Sequence, residues 1–331
     1  MMEPDEDLPD YNKEDDTPGL IERTIDAELG GLRLDQALVQ MFPDYSRSRL
    51  QSWVEQGWVT VNGQPTSVKQ KVWGGEHIAL IPQRHPSEHT FLPEAIPLDI
   101  VYEDDAILVI DKPVGLVVHP AAGNWQGTLL NALLHHVPQL AEVPRAGIVH
   151  RLDKDTSGLM VVAKTLVAQT ALVRQMQARS VKREYLALAW GELARDYTIN
   201  VPIGRHPTQR TRMAAIESGK EAITHVQVEA RFPSCTLVRC RLETGRTHQI
   251  RVHLAWLGHP LVGDSLYIKG VQKCVPALRE VLNGFPRQAL HATRLALDHP
   301  VTGKRMTFDS PLPDDFDDLL VRVEEASDAL E

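Results

Sequence analysis

Residues 146–159 read AGIVHRLDKDTSGL, and this stretch decides the architecture that we expect for the chain. An apolar run leads into it, eight mostly polar residues follow, and from Gly158 the chain is apolar again. Strand-like runs on both sides would hold the polar residues on a loop of a sheet, where binding and catalytic groups are most often found. The stretch therefore predicts a sheet-containing domain with a functional loop.

Two carboxylates and two cations lie close together in this loop. Asp153 and Asp155 stand among Arg151 and Lys154. An aspartate beside a cation stays ionised at neutral pH, which suits a nucleophile or a general base better than a general acid. Composition alone leaves a second interpretation open, a charged surface turn in which Arg151 pairs with Asp155.

Apolar runs elsewhere predict the remaining elements of this domain. The predicted strands are residues 107–110, 158–163, 185–189 and 237–242, and the predicted helices are residues 129–136, 166–178 and 247–257, the last with Thr247 as its cap. The strands are grouped rather than strictly alternating with helices. This order favours an α+β fold with a mixed, mainly antiparallel sheet flanked by helices.

A smaller unit is predicted at residues 21–82. Leu34, Leu38 and Met41 recur at helical spacing, and a second helix follows with Ser46 as its N-cap. Asn62-Gly63 is a hairpin signal between strands, and a further strand is expected at residues 77–81. Two short helices and a hairpin make a compact α+β module.

The remaining segments are predicted to be tails and a linker. We expect a disordered acidic tail at residues 1–20, a polar linker at 83–95, the larger domain at 96–320 and an acidic tail at 321–331. The net charge is −9, but residues 3–16 and 309–331 together hold 17 acidic and two basic groups. The rest of the chain therefore carries a net charge of +6 and suits a polyanionic partner.

Composition argues against several classes of protein. The chain has no uninterrupted apolar run long enough to span a bilayer and does not start like a secretory signal, so we expect a cytoplasmic protein without membrane contact. Its three cysteines lack the spacing of a zinc site or a disulfide framework. His248 and His253 are five residues apart, which does not fit the spacing of a helical zinc site, so no metal is expected.

Three motifs resemble those of one enzyme family. They are HRLDKDTSGL at residues 150–159, KREYLA at 182–187 and LETGRTHQIRVH at 242–253. The first resembles the catalytic motif of the RNA pseudouridine synthase family that includes the large-subunit rRNA enzymes. The resemblance implies that uridines in RNA are isomerised without a cofactor or a bound nucleotide, and that the partner is 23S rRNA or a precursor of the large ribosomal subunit.

The same resemblance implies roles for individual residues in catalysis. Asp153 would be the essential aspartate, which attacks the nucleoside or takes a proton from its ribose. Tyr185 would stack on the target base and take part in proton transfer, and a phenol suits both roles. Arg251 would pair with Asp153, Ile250 would pack beside the base turned out of its helix, and Arg151 would help to hold that state.

Further residues are expected to contact RNA. The segment at 110–120 resembles another signature of the family and contains Lys112, and the basic loop at 204–213 contains Arg205, Arg210 and Arg212. Residues 31–82 resemble the S4 RNA-binding domain. That resemblance implies that a helix bearing Arg47 and Arg49 faces phosphate groups.

Two other functions compete with this interpretation. A noncatalytic RNA-binding or ribosome-assembly factor would also need the S4-like module and the basic middle of the chain, but it would not need Asp153, Tyr185 and Arg251 together. A glycosidase that acts through a carboxylate pair would need a second acid with a raised pKa, which nothing in the sequence supplies. We therefore expect a monomeric RNA pseudouridine synthase.

Overall fold

The computed structural model describes residues 20–43, 45, 47–82, 91–120, 125–209 and 211–330. Nearly all of the expected N-terminal tail, the Ser46 cap and Arg210 lie outside this part of the chain. The chain divides into two compact units, residues 1–90 and residues 91–331. Within the described residues, no helix is both long enough and apolar enough to cross a membrane.

The first unit is a small α+β module, as its sequence pattern predicts. Its elements are β1 (Ile21–Thr24), α1 (Leu34–Met41), α2 (Arg47–Glu55), β2 (Val59–Val61), β3 (Gln64–Pro65) and β4 (His77–Leu80). The strands form an antiparallel sheet in the order β1-β4-β2-β3. Asn62 and Gly63 both have positive φ angles, 51° and 72°, as the tight turn between β2 and β3 requires.

Asp35, a fully buried carboxylate, joins the two helices of this unit. Its oxygens accept hydrogen bonds from Arg33 on one side and from Arg47 and Gln51 on the other, with an Arg47 Nη2 to Asp35 Oδ2 distance of 2.7 Å. Burial alone would raise the pKa of Asp35, but the hydrogen bonds and the charges of the two arginines lower it overall. The carboxylate is therefore ionised at neutral pH and ties α2 to α1.

The second unit is built on one large sheet. Its strands are β5 (Asp99–Glu103), β6 (Ile107–Lys112), β7 (Ser157–Ala163), β8 (Lys182–Trp190), β9 (Tyr197–Asn200), β10 (Ile203–Arg205), β11 (Met213–Ala215), β12 (Ile223–Phe232), β13 (Cys235–Leu242), β14 (Leu290–Asp298) and β15 (Arg305–Asp309). Its helices are α3 (Leu129–His136), α4 (Leu166–Gln177), α5 (Gln249–Trp256), α6 (Pro276–Asn283) and α7 (Asp314–Asp328).

The sheet is mixed and mainly antiparallel, which confirms the predicted fold class. Its order is β5-β6-β7-β14-β8-β13-β12-β9, with β15 added beside β14, while β10 and β11 form a separate hairpin. Among the strand pairings of the large sheet in the described residues, β7 with β14 is parallel and the others are antiparallel. Helices cover both faces, so alternate residues of β6 enter two different cores, Leu108 on the side of α3 and Val109 on the side of α4.

The predicted helices are confirmed, with one error at a cap. Thr128 caps α3 and Thr165 caps α4, each through a hydroxyl that accepts a backbone N–H. The cap predicted for Thr247 is wrong, because α5 begins at Gln249 and follows His248, whose φ of 57° is left-handed.

Two expected boundaries differ from the structure. Residues 91–95, expected in a linker, belong to the second unit, since the Leu92 carbonyl accepts the side chain of Asn131 and the Glu94 N–H donates to the Asn131 carbonyl. The acidic tail expected from residue 321 is the second half of α7. Phe316, Leu319 and Val323 are buried at helical spacing, and this apolar stripe holds the helix against the sheet.

A glycine makes the parallel contact possible. Gly158 has a φ of +113°, and a Cβ placed on it would lie 2.3 Å from the Ala292 carbonyl oxygen on β14. The neighbouring backbone cannot move aside without breaking the pairing of β7 with β14. The residue that ends the Asp153 loop must therefore be glycine.

We expect Gly158→Ala to lower the free energy of unfolding by about 3 kcal/mol or more, because it adds a steric clash to an unfavourable φ. Gly303→Ala is the matched control. Gly303 also has a positive φ, +68°, but nothing lies within 4 Å of its added Cβ, so we expect a loss of about 1 kcal/mol. Urea unfolding of both variants measures the difference, and equal losses would contradict the role of the close contact.

Candidate active site

The loop that carries Asp153 is fixed at several points. At its start, His150 is half-buried and its Nε2 accepts the Val161 N–H at 3.0 Å, while desolvation and then the nearby Arg183 charge lower the His150 pKa to about 3. At its end, the Thr156 hydroxyl accepts Gln288 Nε2, and the Asp155 carbonyl accepts Arg287 Nη1. These contacts place Asp153 on a rigid loop rather than on a mobile turn.

Lys112 is a further anchor of this loop and not a substrate contact as expected. Its side chain is fully buried, and Nζ donates to the carbonyl oxygens of Pro113, Leu116 and Lys154 at 2.7–3.0 Å. Burial lowers the pKa of Lys112 to about 8, against the opposing charges of Asp155 and Asp153. An ammonium group surrounded by three backbone carbonyls is not available to RNA, so its function is to hold Lys154, next to Asp153.

Asp153 is paired with Arg251, as expected. Arg251 Nη1 donates to Asp153 Oδ2 at 2.9 Å, while its Nε and Nη2 donate to the two oxygens of Asp264 at 2.7 and 2.9 Å. Burial would lower the pKa of Arg251, but the hydrogen bonds and charges of Asp264 and Asp153 raise it overall. The Arg251 guanidinium thus bridges Asp264, which is fully buried, and Asp153, whose side chain is 15% exposed.

Asp153 and Arg251 line a cavity of about 830 Å³. Tyr185 on β8 and Ile250 on α5 line the same cavity as Asp153 and Arg251, and Arg151 stands exposed at its edge. Burial raises the pKa of the Tyr185 hydroxyl, so Tyr185 stays protonated at neutral pH. In the described part of the chain no ion pair joins Arg151 to Asp155, which leaves Arg151 directed to the cavity.

A buried amide organises the turn before α5. Gln249 Oε1 accepts the Thr244 hydroxyl and the Arg246 N–H, while its Nε2 donates to the Ile223 carbonyl and the Thr224 hydroxyl. The first two bonds close the turn itself, and the two from Nε2 tie it to β12. Together they place His248, Ile250 and Arg251 at the cavity. Neither a Thr247 cap nor helix periodicity would have predicted this placement.

The other predicted RNA contacts lie on elements that do not line this cavity, as far as the structure describes them. Arg205 is exposed at the end of β10, and Arg212 lines a smaller cavity of about 380 Å³ next to Trp256. In the first unit Arg47 pairs with Asp35 while its side chain stays 53% exposed, and the side chain of Arg49 lies outside the described residues. For these residues RNA contact stays a prediction.

Comparison with known proteins identifies the family. A model of the family described as RNA pseudouridylate synthase matches residues 106–256, and one of the S4 domain matches residues 32–78. A protein of Nitrosomonas europaea named ribosomal large subunit pseudouridine synthase D is 56% identical over 303 residues, which cover 92% of this chain and 88% of its own. A Pasteurella multocida protein of the same name is 53% identical, covering 90% and 94%.

The chain belongs to the RNA pseudouridylate synthase family. Solved structures agree with this assignment. Human RNA pseudouridylate synthase domain containing 1 is 29% identical with a TM-score of 0.53, and the match covers 68% of this chain and 89% of that one. The match to human RNA pseudouridylate synthase domain containing 4 has 25% identity, a TM-score of 0.55 and coverage of 68% and 93%. The chain is therefore an RNA pseudouridine synthase with an S4 domain.

Sequence reasoning missed several groups of this synthase site. Asp264, the second partner of Arg251, follows the apolar pair Leu261-Val262, and a carboxylate after a strand-like run was the available signal. Arg145 also lines the cavity, at the start of three successive residues with positive φ that end at Gly147. No sequence pattern indicates that Arg145 and Ala146 adopt a left-handed backbone conformation, so the sequence could not have predicted this turn.

Lys112 gives a pH-dependent stability that can be measured against Lys112→Met. The folded pKa is about 8 and the unfolded one about 10.5, so the unfolded chain binds more protons between these values. Relative to the variant, we expect the wild type to gain about 3 kcal/mol in free energy of unfolding from pH 8 to pH 10.5. Urea unfolding at each pH tests this, and a constant difference would show that the Lys112 pKa is not lowered.

Because Asp264 is buried and paired with Arg251, we expect Arg251 to be needed for stability as well as for activity. Arg251→Met should lower the free energy of unfolding by about 3–5 kcal/mol, because it leaves a buried carboxylate unpaired. Adding Asp264→Asn should recover much of this loss, since the amide keeps an oxygen for the backbone N–H groups of Leu266 and Tyr267. Neither variant should form pseudouridine; wild-type activity in the double variant would show that the Arg251–Asp153 pair is dispensable.

Proposed function

We propose that this enzyme converts specific uridines of 23S rRNA, in the large ribosomal subunit or its precursor, to pseudouridine, with Asp153 as the essential group. The observation that carries the proposal is the position of Asp153. Its carboxylate is held at 2.9 Å by Arg251 and is partly exposed in a cavity that Tyr185 and Ile250 also line. A carboxylate oriented in this way fits the reaction of the family.

The charge of the cavity supports a nucleic acid substrate. Among its lining residues are six arginines, against two carboxylates, Asp153 and Glu243. Arginine forms paired hydrogen bonds with phosphate, and its charge releases the counterions that surround RNA. A cavity of this composition attracts a polyanion despite the net charge of −9 of the whole chain.

The chemistry requires one reactive carboxylate and no cofactor. In the conversion, the bond from uracil N1 to ribose C1′ breaks, a bond from uracil C5 to C1′ forms, N1 gains a proton and C5 loses one. Asp153 would act when the base is detached, either on the nucleoside or on a ribose proton. The protonated Tyr185 hydroxyl would stand beside the base, and its ring offers a surface for stacking.

The recessed position of Asp153 supports base flipping. A uridine inside a folded RNA cannot bring its ribose to a carboxylate that is 15% exposed, so the nucleotide would leave its stack. Arg151 is exposed at the cavity and would fill the space that the base leaves, while Ile250 would pack against the displaced uracil.

The names of the relatives support the large-subunit substrate, because the Nitrosomonas europaea and Pasteurella multocida proteins, each over 50% identical, are named for the large ribosomal subunit. The S4 domain would add affinity, with Arg47 and Arg49 directed to phosphates, and Arg205, Arg210 and Arg212 would add contacts from the loop after β10. An enzyme with this substrate works in the cytoplasm, which is the location that we propose.

Asp153→Asn tests the catalytic assignment. Tritium at uridine C5 is released to water in each turnover, so the variant should bind rRNA but release tritium at least about a hundredfold more slowly. Asp155→Asn, which changes a carboxylate two residues away, is the matched control and should stay within a few-fold of the wild type. Undiminished release by Asp153→Asn would refute the assignment.

The substrate itself is tested by mapping pseudouridines in rRNA from cells with and without the gene. We expect pseudouridines to be lost only from 23S rRNA in the deletion strain and to be restored by the wild-type gene but not by Asp153→Asn. Loss from another RNA instead would contradict the proposed substrate and leave the family assignment intact.

A further inference from the structure

His248 occupies an unusual position beside the reactive carboxylate. Its backbone is left-handed, with φ 57° and ψ 24°, which is uncommon for a residue with a side chain. Its Nε2 lies 3.8 Å from Asp153 Oδ1, the oxygen that Arg251 does not bind. The two oxygens of Asp153 therefore face different groups, and Oδ1 is the one that remains for substrate.

Tyr267 determines which ring nitrogen of His248 carries the proton. The Tyr267 oxygen accepts the Met213 N–H at 3.0 Å and lies 2.8 Å from His248 Nδ1. The phenol hydrogen can then be donated to Nδ1, which leaves the proton of the neutral ring on Nε2. The opposite tautomer would turn the lone pair of Nε2 toward the Asp153 carboxylate, which is unfavourable. Burial also lowers the pKa of His248, against the charge of Asp153, which favours the neutral ring.

Tyr267 is held from three sides, so its hydroxyl has a defined position. Its backbone N–H donates to Asp264 Oδ1 at 3.2 Å, and its ring lies under the Arg251 guanidinium at 5.1 Å from ring centre to Cζ. The hydroxyl is fixed between His248 and Met213. Asp153, Arg251, Asp264, Tyr267 and His248 thus form a closed ring of contacts, in which each residue contacts the next and His248 lies beside Asp153. We call this ring the circuit.

The Tyr267 hydroxyl connects this circuit to the β10–β11 hairpin, which carries Arg205 and Arg212 at its loop. Met213 is the first residue of β11, directly after the loop that contains Arg212, and its N–H is the donor to Tyr267. The Arg212 carbonyl in turn accepts the His206 N–H across the loop. A shift of the hairpin would therefore move the Tyr267 hydroxyl and, through it, the His248 ring.

We propose that His248 and Tyr267 are positioning residues that connect the β10–β11 hairpin to the free oxygen of Asp153, so that RNA bound by the hairpin aligns the carboxylate for reaction. The inference rests on the proposed function, because it requires RNA as the occupant of the hairpin. His248 Nε2–H would hold Asp153 Oδ1 in place, at a distance that shortens when substrate fills the cavity.

The first test is the state of the His248 ring, which needs no activity. Nitrogen-15 NMR of the wild-type protein should show the proton of His248 on Nε2, with Nδ1 as an acceptor. Tyr267→Phe, which removes only the hydroxyl, should shift the signals toward a mixture of tautomers. A proton on Nδ1 in the wild type, or an unchanged spectrum in the variant, would overturn the proposal.

The second test separates alignment from binding. At saturating rRNA, Tyr267→Phe should lower the single-turnover rate of tritium release by about ten- to a hundredfold, with the Kd for RNA unchanged within about twofold. Tyr102→Phe is the matched control, since it also removes a phenol hydroxyl that donates a hydrogen bond, here to Asp104 at 2.8 Å, but lies outside the cavity. A wild-type rate in Tyr267→Phe would contradict the connection.

A second variant guards against a purely structural effect. His248→Asn keeps a residue that tolerates the left-handed backbone and offers an acceptor to Tyr267, but it removes the donor that faces Asp153. We expect a comparable loss of rate with an unchanged melting temperature, and a normal rate would overturn the role of His248.

The connection to the hairpin is tested by a double-mutant cycle of Arg212→Ala with Tyr267→Phe. If the hairpin acts through Tyr267, the losses of rate will be less than additive, and additive losses would refute the connection. A wild-type enzyme that releases no tritium from large-subunit rRNA would contradict the proposed function instead, and the His248 spectrum would still decide whether the circuit exists.

Discussion

The Arg251 guanidinium between Asp153 and Asp264 is the interaction on which the rest of the site depends. A charge that is removed from water must be paired and hydrogen-bonded, or it costs several kcal/mol (about 3–5 when one partner of a buried pair is lost). Asp264 is fully buried and takes two of the bonds, so Arg251 is fixed before substrate arrives. Its remaining N–H group then orients Asp153, which alone of the two carboxylates is exposed to the cavity.

The sheet makes this pairing possible by bringing distant segments together. Asp153 and Arg251 are 98 residues apart in the chain. The loop of Asp153 enters β7, which lies parallel to β14 at a point where only a glycine fits, and Arg251 follows β13 through a turn organised by Gln249. Lys112 closes the arrangement from β6 through the Lys154 carbonyl. The loop is rigid because Lys112, Arg287 and the pairing of β7 with β14 hold its backbone, and a rigid loop can keep a reactive group in a defined orientation.

The distribution of charge explains how an acidic protein can act on RNA. Asp and Glu are concentrated near the two ends of the chain, whereas arginines line the cavity. The acidic segment near the C-terminus is not a simple tail, since α7 buries Phe316, Leu319 and Val323 and directs its carboxylates outward. One of these, Asp315, binds Arg287, which in turn holds the Asp155 carbonyl of the active-site loop. Part of the acidic charge therefore supports the site.

The sequence by itself determined the two-unit organisation, the α+β class and most strands and helices, because apolar runs and their periods record which faces are buried. The family motifs also predicted Asp153, Tyr185, Ile250 and Arg251 as site residues, and the four line one cavity. Only the tertiary structure decided the contacts of Lys112, Asp264, Gln249 and His248. Lys112 is of a residue type that often contacts RNA, but it is buried among carbonyl groups. Asp264 has no sequence neighbour that reveals its partner. The reason is physical: burial and hydrogen-bond partners depend on residues that only folding brings together.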